Sequence, residues 1–387
     1  MKYSEAKKYL ASLEKFGINL GLERITGLLA KLGSPHLKFK SLHVAGTNGK
    51  GSTCAMMASI LKEAEYKVGL YTSPHLLSFN ERIKINGRDI SKNDFAEGIS
   101  LIKIATRRLA DTPTVFEVLT ALAFWHFAKA KVDYAVIEVG MGGRLDATNV
   151  ISPLVSVITN IDLEHTAVLG NTLAKIAAEK SAIIKPGVPV VTAETKPEAL
   201  KVMKYHADKN QSLLVQVGSQ GEGFETGLIG EYQKTNAVCA VAALRLAGIE
   251  IDRPAIVAGL KKVSWPGRFQ VVTKQPLTIL DGAHNPAGAR VLALTLAEQY
   301  PGKKFTFIIG VQKDKDVAVM LTEFKKAAKK IIITRSSNKA AAEKISQRKT
   351  ISLNQALELS AGQDRVIAGS LFLVADALKC LDAAARP

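Results

Sequence analysis

The sequence has few cysteines, few aromatic residues and no long apolar run. Its three cysteines, Cys54, Cys239 and Cys380, lie far apart and match no disulfide or metal-binding spacing. We expect them to be small core residues in a reducing cytoplasm. No apolar run reaches the roughly 18 residues of a membrane-spanning helix, and the first residues lack the apolar stretch of a signal peptide. The sequence therefore predicts a cytoplasmic protein with no membrane partner.

Negative charge is also scarce. The chain has 52 Lys and Arg residues against 35 Asp and Glu residues, a net charge of +17. Such a charge attracts either nucleic acid or small polyanions. The basic residues are spread along the sequence, and their tightest cluster, 325–330, ends a predicted helix, where cations favour the helix dipole. Aromatic residues make up only 6% of the chain and do not interleave with this cluster. We therefore predict small anionic ligands and no nucleic-acid partner.

Short apolar segments of β type alternate with helix-length segments through most of the chain. This alternation predicts an α/β fold with mostly parallel sheets covered on both faces. The segment Lys262–Arg268 carries a Pro-Gly turn signal, and a new series of strands and helices follows it. The sequence predicts an N-terminal phosphate-loop (P-loop) ATPase domain at 1–263, a hinge at 264–269, and a smaller Rossmann-like α/β domain at 270–387.

A glycine-rich segment with one lysine follows the first apolar strand. In His43–Thr53, three glycines allow a tight turn that presents backbone N–H groups to phosphate oxygens, and the helix that follows adds a favourable dipole. Lys50 supplies a cation for the outer phosphates. The position after it is Gly51 and not Ser or Thr, so the hydroxyl for Mg²⁺ comes from Ser52, Thr53 or elsewhere. The residues expected to bind nucleotide here are Gly46, Thr47, Asn48, Gly49, Lys50, Gly51, Ser52 and Thr53.

Two more apolar segments end in polar residues. Glu138 lies near the end of Val132–Val139, and His165 follows a strand that ends near Asn160. In parallel sheets, ligands gather at the carboxyl ends of the strands. One interpretation is that the Glu138 carboxylate is paired with backbone groups or with Arg144. The other, which we favour, is that it is a Mg²⁺ ligand. His165 alone would be an ordinary loop histidine, but beside Glu138 it becomes a candidate for a second Mg²⁺, although imidazole is an uncommon ligand for so hard a cation.

Lys180 lies among alanine and isoleucine residues on a predicted helix that ends before Pro186. Apolar surroundings would disfavour its ammonium group and lower its pKa. A surface lysine, whose stem covers apolar neighbours, is nevertheless the interpretation that the residues alone favour.

Polar residues also close the first strand of the second predicted domain. Asp281, His284 and Asn285 are placed where a ligand would bind in an α/β sheet. An Asp-Gly turn with Asn285 as a helix cap is the alternative. Arg268, in the preceding hinge, is a candidate phosphate contact.

Together these segments resemble the folylpolyglutamate synthase and dihydrofolate synthase family, within the Mur ligase superfamily. Members of this family use ATP to join a pteroate or folate carboxylate to the amine of L-glutamate. The resemblance covers nearly the whole chain, from Leu10 to about Leu373. Its segments are Leu22–Ile25, His43–Thr53, Tyr71–Leu76, Glu81–Ile83, Glu138–Asn149, Asn160–Gly170, Glu179–Lys180, Trp265–Arg268 and Asp281–Asn285.

The resemblance implies a role for each matching residue. Lys50, His165 and Lys180 would be catalytic, and Lys180 would carry a carbamate, which replaces the surface interpretation of that residue. Two Mg²⁺ ions are implied. Their protein ligands would be Ser52, Ser73, Glu138 and His165. The further ATP contacts would be Asn236, Arg268, Asp281 and His284, and the substrate-binding residues would be His75, Arg82 and Asp146.

The implied reaction is amide formation through an acyl phosphate, with folate or dihydropteroate and L-glutamate as substrates and a monomeric enzyme. The segment Leu145–Asn149 resembles the form found in bifunctional members, whereas Gln216–Glu231 looks shorter than the usual insertion. The alternatives are a single-activity member and another Mur-type amino-acid ligase. The latter usually carries a further domain before the phosphate loop, and only 45 residues precede Gly46. A basic nucleic-acid-dependent ATPase is a more distant alternative.

Overall fold

The computed structural model describes residues 1–107, 109–218, 223–338, 340–345 and 348–384, and the chain divides into two compact units. The first unit comprises Met1–Gly227 and Gln233–Val263. The second comprises Leu228–Tyr232 and the chain from Ser264 onward. Within the segment Gln216–Glu231, 219–222 lie outside the described residues, as do 385–387 at the end of the predicted C-terminal domain.

The first unit is built on an eight-stranded sheet, counted over the described residues. Its strands are β1 (Lys40–Ala45), β2 (Val68–Tyr71), β3 (Ile83–Ile85), β4 (Arg88–Asp89), β5 (Tyr134–Glu138), β6 (Val155–Ile158), β7 (Val190–Thr192) and β8 (Leu214–Gln216). Their order is β4-β3-β2-β5-β1-β6-β7-β8, and all neighbours are parallel except β2 with β3 and β3 with β4. Every residue of β5 and β6 is buried. Because successive side chains of a strand point to opposite faces, the sheet is covered on both faces.

Helices of the first unit enclose separate apolar cores. They are α1 (Tyr3–Leu13), α2 (Glu23–Lys31), α3 (Lys50–Glu63), α4 (Lys92–Thr106), α5 (Val115–Ala130), α6 (Thr166–Leu169), α7 (Leu173–Ser181), α8 (Pro197–Lys209), α9 (Glu231–Leu246) and α10 (Arg253–Lys262). One core joins α2, α4 and α5 through Leu28, Phe95 and Phe124. Another, beside β6 and β7, contains Ile176 and Met203. This second core seats α7, which carries Lys180, against the sheet.

The second unit repeats the α/β pattern on a smaller scale. Its strands are β9 (Gln270–Lys274), β10 (Leu277–Leu280), β11 (Phe305–Ile309), β12 (Ala328–Ile333), β13 (Lys344–Ile345), β14 (Arg348–Lys349) and β15 (Arg365–Ala368), and its helices are α11 (Pro286–Gln299), α12 (Val317–Lys325), α13 (Leu353–Glu358) and α14 (Leu371–Ala384). The main sheet has the order β12-β11-β15-β10-β9, parallel except for β9 with β10. Its core contains Leu292, Phe307 and Phe324. The predicted α/β class with mostly parallel sheets is confirmed.

The parallel strands decide where polar residues meet. The neighbours β2, β5, β1, β6 and β7 all run in the same direction, so the loops after them emerge at one edge of the sheet, where ligands bind in such folds. No helix in the described ranges has both the length and the apolar character needed to cross a bilayer.

Candidate active site

The predicted phosphate loop connects β1 to α3, and two of its glycines are required by the backbone. Gly46 has φ 144° and Gly49 has φ 85°, values that favour glycine. A Cβ on Gly46 would collide with Thr159 Oγ1, and one on Gly49 would lie 2.5 Å from Asn236 Oδ1. Asn236, on α9, is buried and donates to Gln233 Oε1 at 2.9 Å. It therefore lies against the phosphate loop.

The segment after β6 holds the loop in shape. Asn160 accepts from Thr47 N at 2.8 Å with its carbonyl and from Asn48 N at 2.9 Å with its side chain. Thr159 Oγ1 donates to Asn48 O at 2.6 Å, and Asp162 N donates to Thr47 Oγ1 at 3.0 Å. Two loop N–H groups, those of Thr47 and Asn48, are thus used to brace the loop. Thr159 and Asp162 are not among the predicted site residues, although the polar run after an apolar strand is the signal that marks them.

Two lysines converge on one carbonyl group of the loop. Lys50 Nζ donates to Gly46 O at 3.0 Å and to Thr47 O at 3.1 Å. Lys180 Nζ donates to the same Gly46 O at 2.7 Å. Lys180 is only 3% exposed, so the surface interpretation made from the residues alone is wrong. Burial and the nearby charge of Lys50 lower the pKa of Lys180 to about 7.

A carboxylate and a serine lie together beside this loop. Glu138, the last residue of β5, is buried and accepts from Ser73 N at 2.9 Å. Burial and the Glu138 carboxylate raise the pKa of Cys54, which lies in the first half of α3. In the first turn of α3, Ser52 is buried, and the buried Thr53 Oγ1 has no hydrogen-bond partner in the described part of the chain. Arg144, the alternative partner considered for Glu138, forms an ion pair with Glu179 at 2.9 Å.

These groups fit a Mg²⁺ ion that is bound mainly by nucleotide. Hydroxyl and carboxylate oxygens are the ligands Mg²⁺ prefers, and it commonly takes one or two carboxylates together with phosphate oxygens. Over the described ranges, no group of three or more His, Cys, Asp and Glu residues is arranged to hold a metal. His165 is exposed, has φ 50°, and precedes the short helix α6.

The loop after β2 brings two predicted substrate-binding residues together. Arg82 Nε donates to His75 Nδ1 at 2.9 Å, which fixes the proton of a neutral His75 on Nε2. The Glu81 carboxylate accepts three backbone N–H groups, those of residues 76, 77 and 78, and so shapes the loop. Burial lowers the pKa of Arg82, while Tyr71 and Glu138 raise it. Arg82 therefore stays a cation near Glu138 and is able to bind an anionic group.

Asp146 occupies a buried position in the loop after β5. Its carboxylate accepts from Met141 N at 2.9 Å, from Thr148 N at 3.0 Å and from Thr148 Oγ1 at 2.5 Å. Burial raises the pKa of Asp146, and these hydrogen bonds counter the effect. The carboxylate is thus held in one orientation by its own loop.

In the second unit, the predicted nucleotide-binding residues form their own cluster at the end of β10. Asp281 is buried and accepts from Phe269 N at 2.7 Å and from Ala283 N at 2.8 Å. Burial raises the pKa of Asp281, whereas the Arg268 guanidinium lowers it. His284 Nδ1 lies 2.7 Å from Gly282 O. Asn285 caps α11 by accepting from the N–H of residue 288, which is the role that the alternative interpretation of this segment gave it.

The two hydrogen bonds of Asp281 predict its contribution to stability. In Asp281→Asn, one carboxamide oxygen replaces two acceptors, and the amide N–H₂ faces a backbone N–H. We expect a loss of about 1–3 kcal/mol of unfolding free energy, the usual effect of leaving a buried donor unsatisfied. Calorimetric melting measures it. Glu298→Gln, an exposed change on α11, is the control and should stay within about 0.5 kcal/mol of wild type. Equal melting temperatures of the two variants would contradict the expected contribution of the Asp281 hydrogen bonds to stability.

The fold and the phosphate loop define a Mur-type ligase. The chain matches the Mur ligase middle domain over residues 44–192 and the Mur ligase, glutamate ligase domain, over residues 267–371. It is 40% identical over 351 residues to the dihydrofolate synthase/folylpolyglutamate synthase of Bacillus subtilis (strain 168), with 82% of each chain covered.

Solved structures agree over the whole length. The folylpolyglutamate synthase of Thermotoga maritima is 36% identical with a TM-score of 0.87, covering 99% of this chain and 97% of that chain. Escherichia coli FolC in complex with DHPP and ADP is 31% identical with a TM-score of 0.91, covering 100% and 99%. This chain therefore belongs to the folylpolyglutamate synthase and dihydrofolate synthase family, and is an ATP-dependent, ADP-forming acid–amino-acid ligase that uses glutamate. The predicted family and reaction class are confirmed.

Proposed function

We propose that this ligase adds L-glutamate both to dihydropteroate and to reduced folates. The observation that carries the proposal is the convergence of Lys50 and Lys180 on the phosphate loop, at the sheet edge where Glu138 and Ser73 meet. Two lysine side chains and the Glu138 carboxylate beside the phosphate loop suit a site that activates the carboxylate of a substrate with ATP. Support for the double activity comes from the Bacillus subtilis relative, which is named for both reactions. Further support comes from the segment Leu145–Asn149, which resembles the form found in bifunctional members.

The chemistry follows from charge. A carboxylate resists attack by an amine, so its oxygen first attacks the γ-phosphorus of ATP, and the bond to ADP breaks. The resulting acyl phosphate has a good leaving group. The glutamate amine attacks the acyl carbon, inorganic phosphate leaves, and the amine gives up a proton. Lys50 and the N–H groups at the start of α3 would stabilise the phosphate charge in both steps.

We propose that Ser52, Ser73, Glu138 and His165 hold two Mg²⁺ ions together with the phosphates. When bound, Mg²⁺ neutralises phosphate charge and orients the γ-phosphate for attack. Two observations support a Mg²⁺ position at Ser52, Ser73 and Glu138: the neighbouring Thr53 hydroxyl has no partner among the described residues, and the Ser73 N–H donates to Glu138. In the second unit, Arg268, Asp281 and His284 are proposed as nucleotide contacts. Arg82 and His75 are proposed as contacts for anionic substrate, and Asp146 as a contact for the pteroate or folate acceptor.

We also propose that Lys180 carries a carbamate. A pKa of about 7 leaves a substantial neutral fraction of the amine at physiological pH. The neutral amine adds to CO₂ and releases one proton, which turns an ammonium into a carboxylate. Its hydrogen bond to the phosphate loop supports a role beside the nucleotide.

A reaction panel tests the proposed function. Purified enzyme with ATP and labelled glutamate should release ADP and incorporate label with dihydropteroate and, separately, with tetrahydrofolate. Activity with only one acceptor would establish a single-activity enzyme, and activity with neither would refute the proposal. A muramyl-nucleotide acceptor tests the wider Mur alternative.

The remaining alternatives are tested with the same preparation. We propose a cytoplasmic monomer that needs no nucleic acid, an assignment consistent with three unpaired cysteines. ATP hydrolysis should be unchanged by single- or double-stranded nucleic acid, and light scattering should give the mass of one chain. Stimulation by nucleic acid at moderate salt would favour the ATPase alternative.

A further inference from the structure

A buried histidine lies in the strand that leads into the phosphate loop. His43, near the end of β1, has no exposed surface, and its Nε2 lies 2.9 Å from Thr148 Oγ1. Thr148 Oγ1 in turn lies 2.5 Å from Asp146 Oδ1. The three side chains form a continuous chain of hydrogen bonds from the central strand to the loop after β5.

The direction of these hydrogen bonds follows from the number of protons available. Both Asp146 oxygens accept backbone N–H groups, one from Met141 and one from Thr148, so the carboxylate is an acceptor. The single Thr148 hydroxyl proton therefore goes to Asp146. His43 Nε2 must then donate to the Thr148 oxygen, which sets the histidine tautomer. Burial and the nearby Lys185 lower the pKa of His43 to about 3, so the ring stays neutral across the working pH range.

We propose that His43 is a positioning residue for the acceptor substrate, which it orients by holding Asp146 through the Thr148 hydroxyl. This inference rests on the proposed function, in which Asp146 binds the pteroate or folate acceptor. His43 touches no reacting atom in this scheme. His43 acts indirectly. It fixes the Thr148 hydroxyl, which in turn holds Asp146, just as residues behind metal ligands orient those ligands in metal sites.

The position of His43 explains why such a link matters for this reaction. β1 continues directly into Gly46 and the phosphate loop, while Asp146 lies on the loop after the neighbouring strand β5. The link ties the acceptor-binding carboxylate to the strand that carries the phosphate-binding group. Acceptor and γ-phosphate must approach closely for phosphoryl transfer, so a displaced Asp146 would lower the fraction of productive complexes.

Two amide variants separate the effect of losing the Nε2–H donor from the effect of losing the bulk of the imidazole ring. In His43→Gln the amide nitrogen reaches the place of Nε2 and is able to donate to Thr148, whereas the shorter side chain of His43→Asn does not reach it. We expect H43N and Thr148→Val to raise the acceptor KM about tenfold or more, the effect of weakening a hydrogen bond to a charged group. H43Q should stay within about threefold of wild type by the same reasoning. The KM for ATP should not change in any of them.

A double variant and a control complete the test. H43N combined with T148V should be no worse than T148V alone, because both changes break one chain of hydrogen bonds. Ser156→Ala is the control. Ser156 is buried, is paired with His43 across the sheet, and donates to Ile183 O, so it takes no part in the hydrogen bonds that link His43 to Asp146. It should lower the melting temperature without changing the acceptor KM. If H43N yields no folded protein, His43→Leu, which also lacks the donor, replaces it.

Three results would overturn the proposal: equal acceptor KM values for H43N and H43Q, additive effects in the double variant, or a matching rise in the KM for ATP. A wild-type enzyme that ligates glutamate to no acceptor would refute the proposed function itself. An active wild type with any of these three results overturns the His43 link alone.

Discussion

Lys50→Ala should abolish glutamate-dependent ADP release while the protein stays folded. We expect the rate to fall about a thousandfold or more, since in the proposed mechanism the variant removes the cation that stabilises the transferred phosphoryl group. The ammonium group also braces the loop through the carbonyls of Gly46 and Thr47, so its loss also weakens the positioning of nucleotide. Alanine suits the first turn of α3, and helix formation should not suffer. A coupled assay for ADP, with glutamate and acceptor present, measures the effect.

Lys62→Ala is the matched control for this prediction. Lys62 lies on the same helix and is exposed near its other end, so its removal changes the net charge equally without touching the loop. Activity should be retained in Lys62→Ala and lost in Lys50→Ala, with similar melting temperatures. Turnover near the wild-type value in Lys50→Ala would mean that the phosphate site lies elsewhere.

The sequence predicts central strands well and edge strands poorly. β5 and β6 are buried on both faces, so their sequences are mostly apolar and stand out. β4 has two exposed residues, and β9 ends in exposed ones, so neither leaves a pattern of period two. β2, only four residues long with a glycine, is equally hard to find. The mostly parallel character of the sheets was predictable. The short parallel strand β2 and the antiparallel strands β4 and β9 were not.

The parts of the site also differ in how well the sequence predicts them. The phosphate loop is a local motif, because strand, glycines and helix are consecutive in sequence. The burial of Lys180 is not local: it donates to Gly46, 134 residues away, and depends on how α7 packs beside β6. The bracing of Asn48 by Thr159 likewise joins groups 111 residues apart. From the residues alone a surface lysine was the better interpretation, and only the resemblance to a family corrected it.

Lys180→Ala should lose activity that excess Mg²⁺ does not restore. If the functional group is a carbamate, the variant lacks a carboxylate, and small carboxylic acids such as acetate should restore part of the rate by filling the gap. If the functional group is the ammonium ion that donates to Gly46 O, ethylamine should restore it instead. Lys175→Ala, an exposed change on the same helix, should be fully active and insensitive to both.

The pKa of Lys180 adds a pH dependence to this test. Carbamate forms from the neutral amine, whose fraction grows as pH rises through about 7. At constant dissolved CO₂, incorporation of ¹³CO₂ at Lys180 should therefore increase from pH 6 to pH 8, and more steeply than the neutral fraction, because carbamate formation also releases a proton. Nuclear magnetic resonance at neutral or alkaline pH observes the adduct without the acid treatment that releases it. Rescue by ethylamine together with no ¹³C signal would show that Lys180 acts as an ammonium ion. A carbamate would instead give a ¹³C signal in the wild type, and acetate would rescue Lys180→Ala.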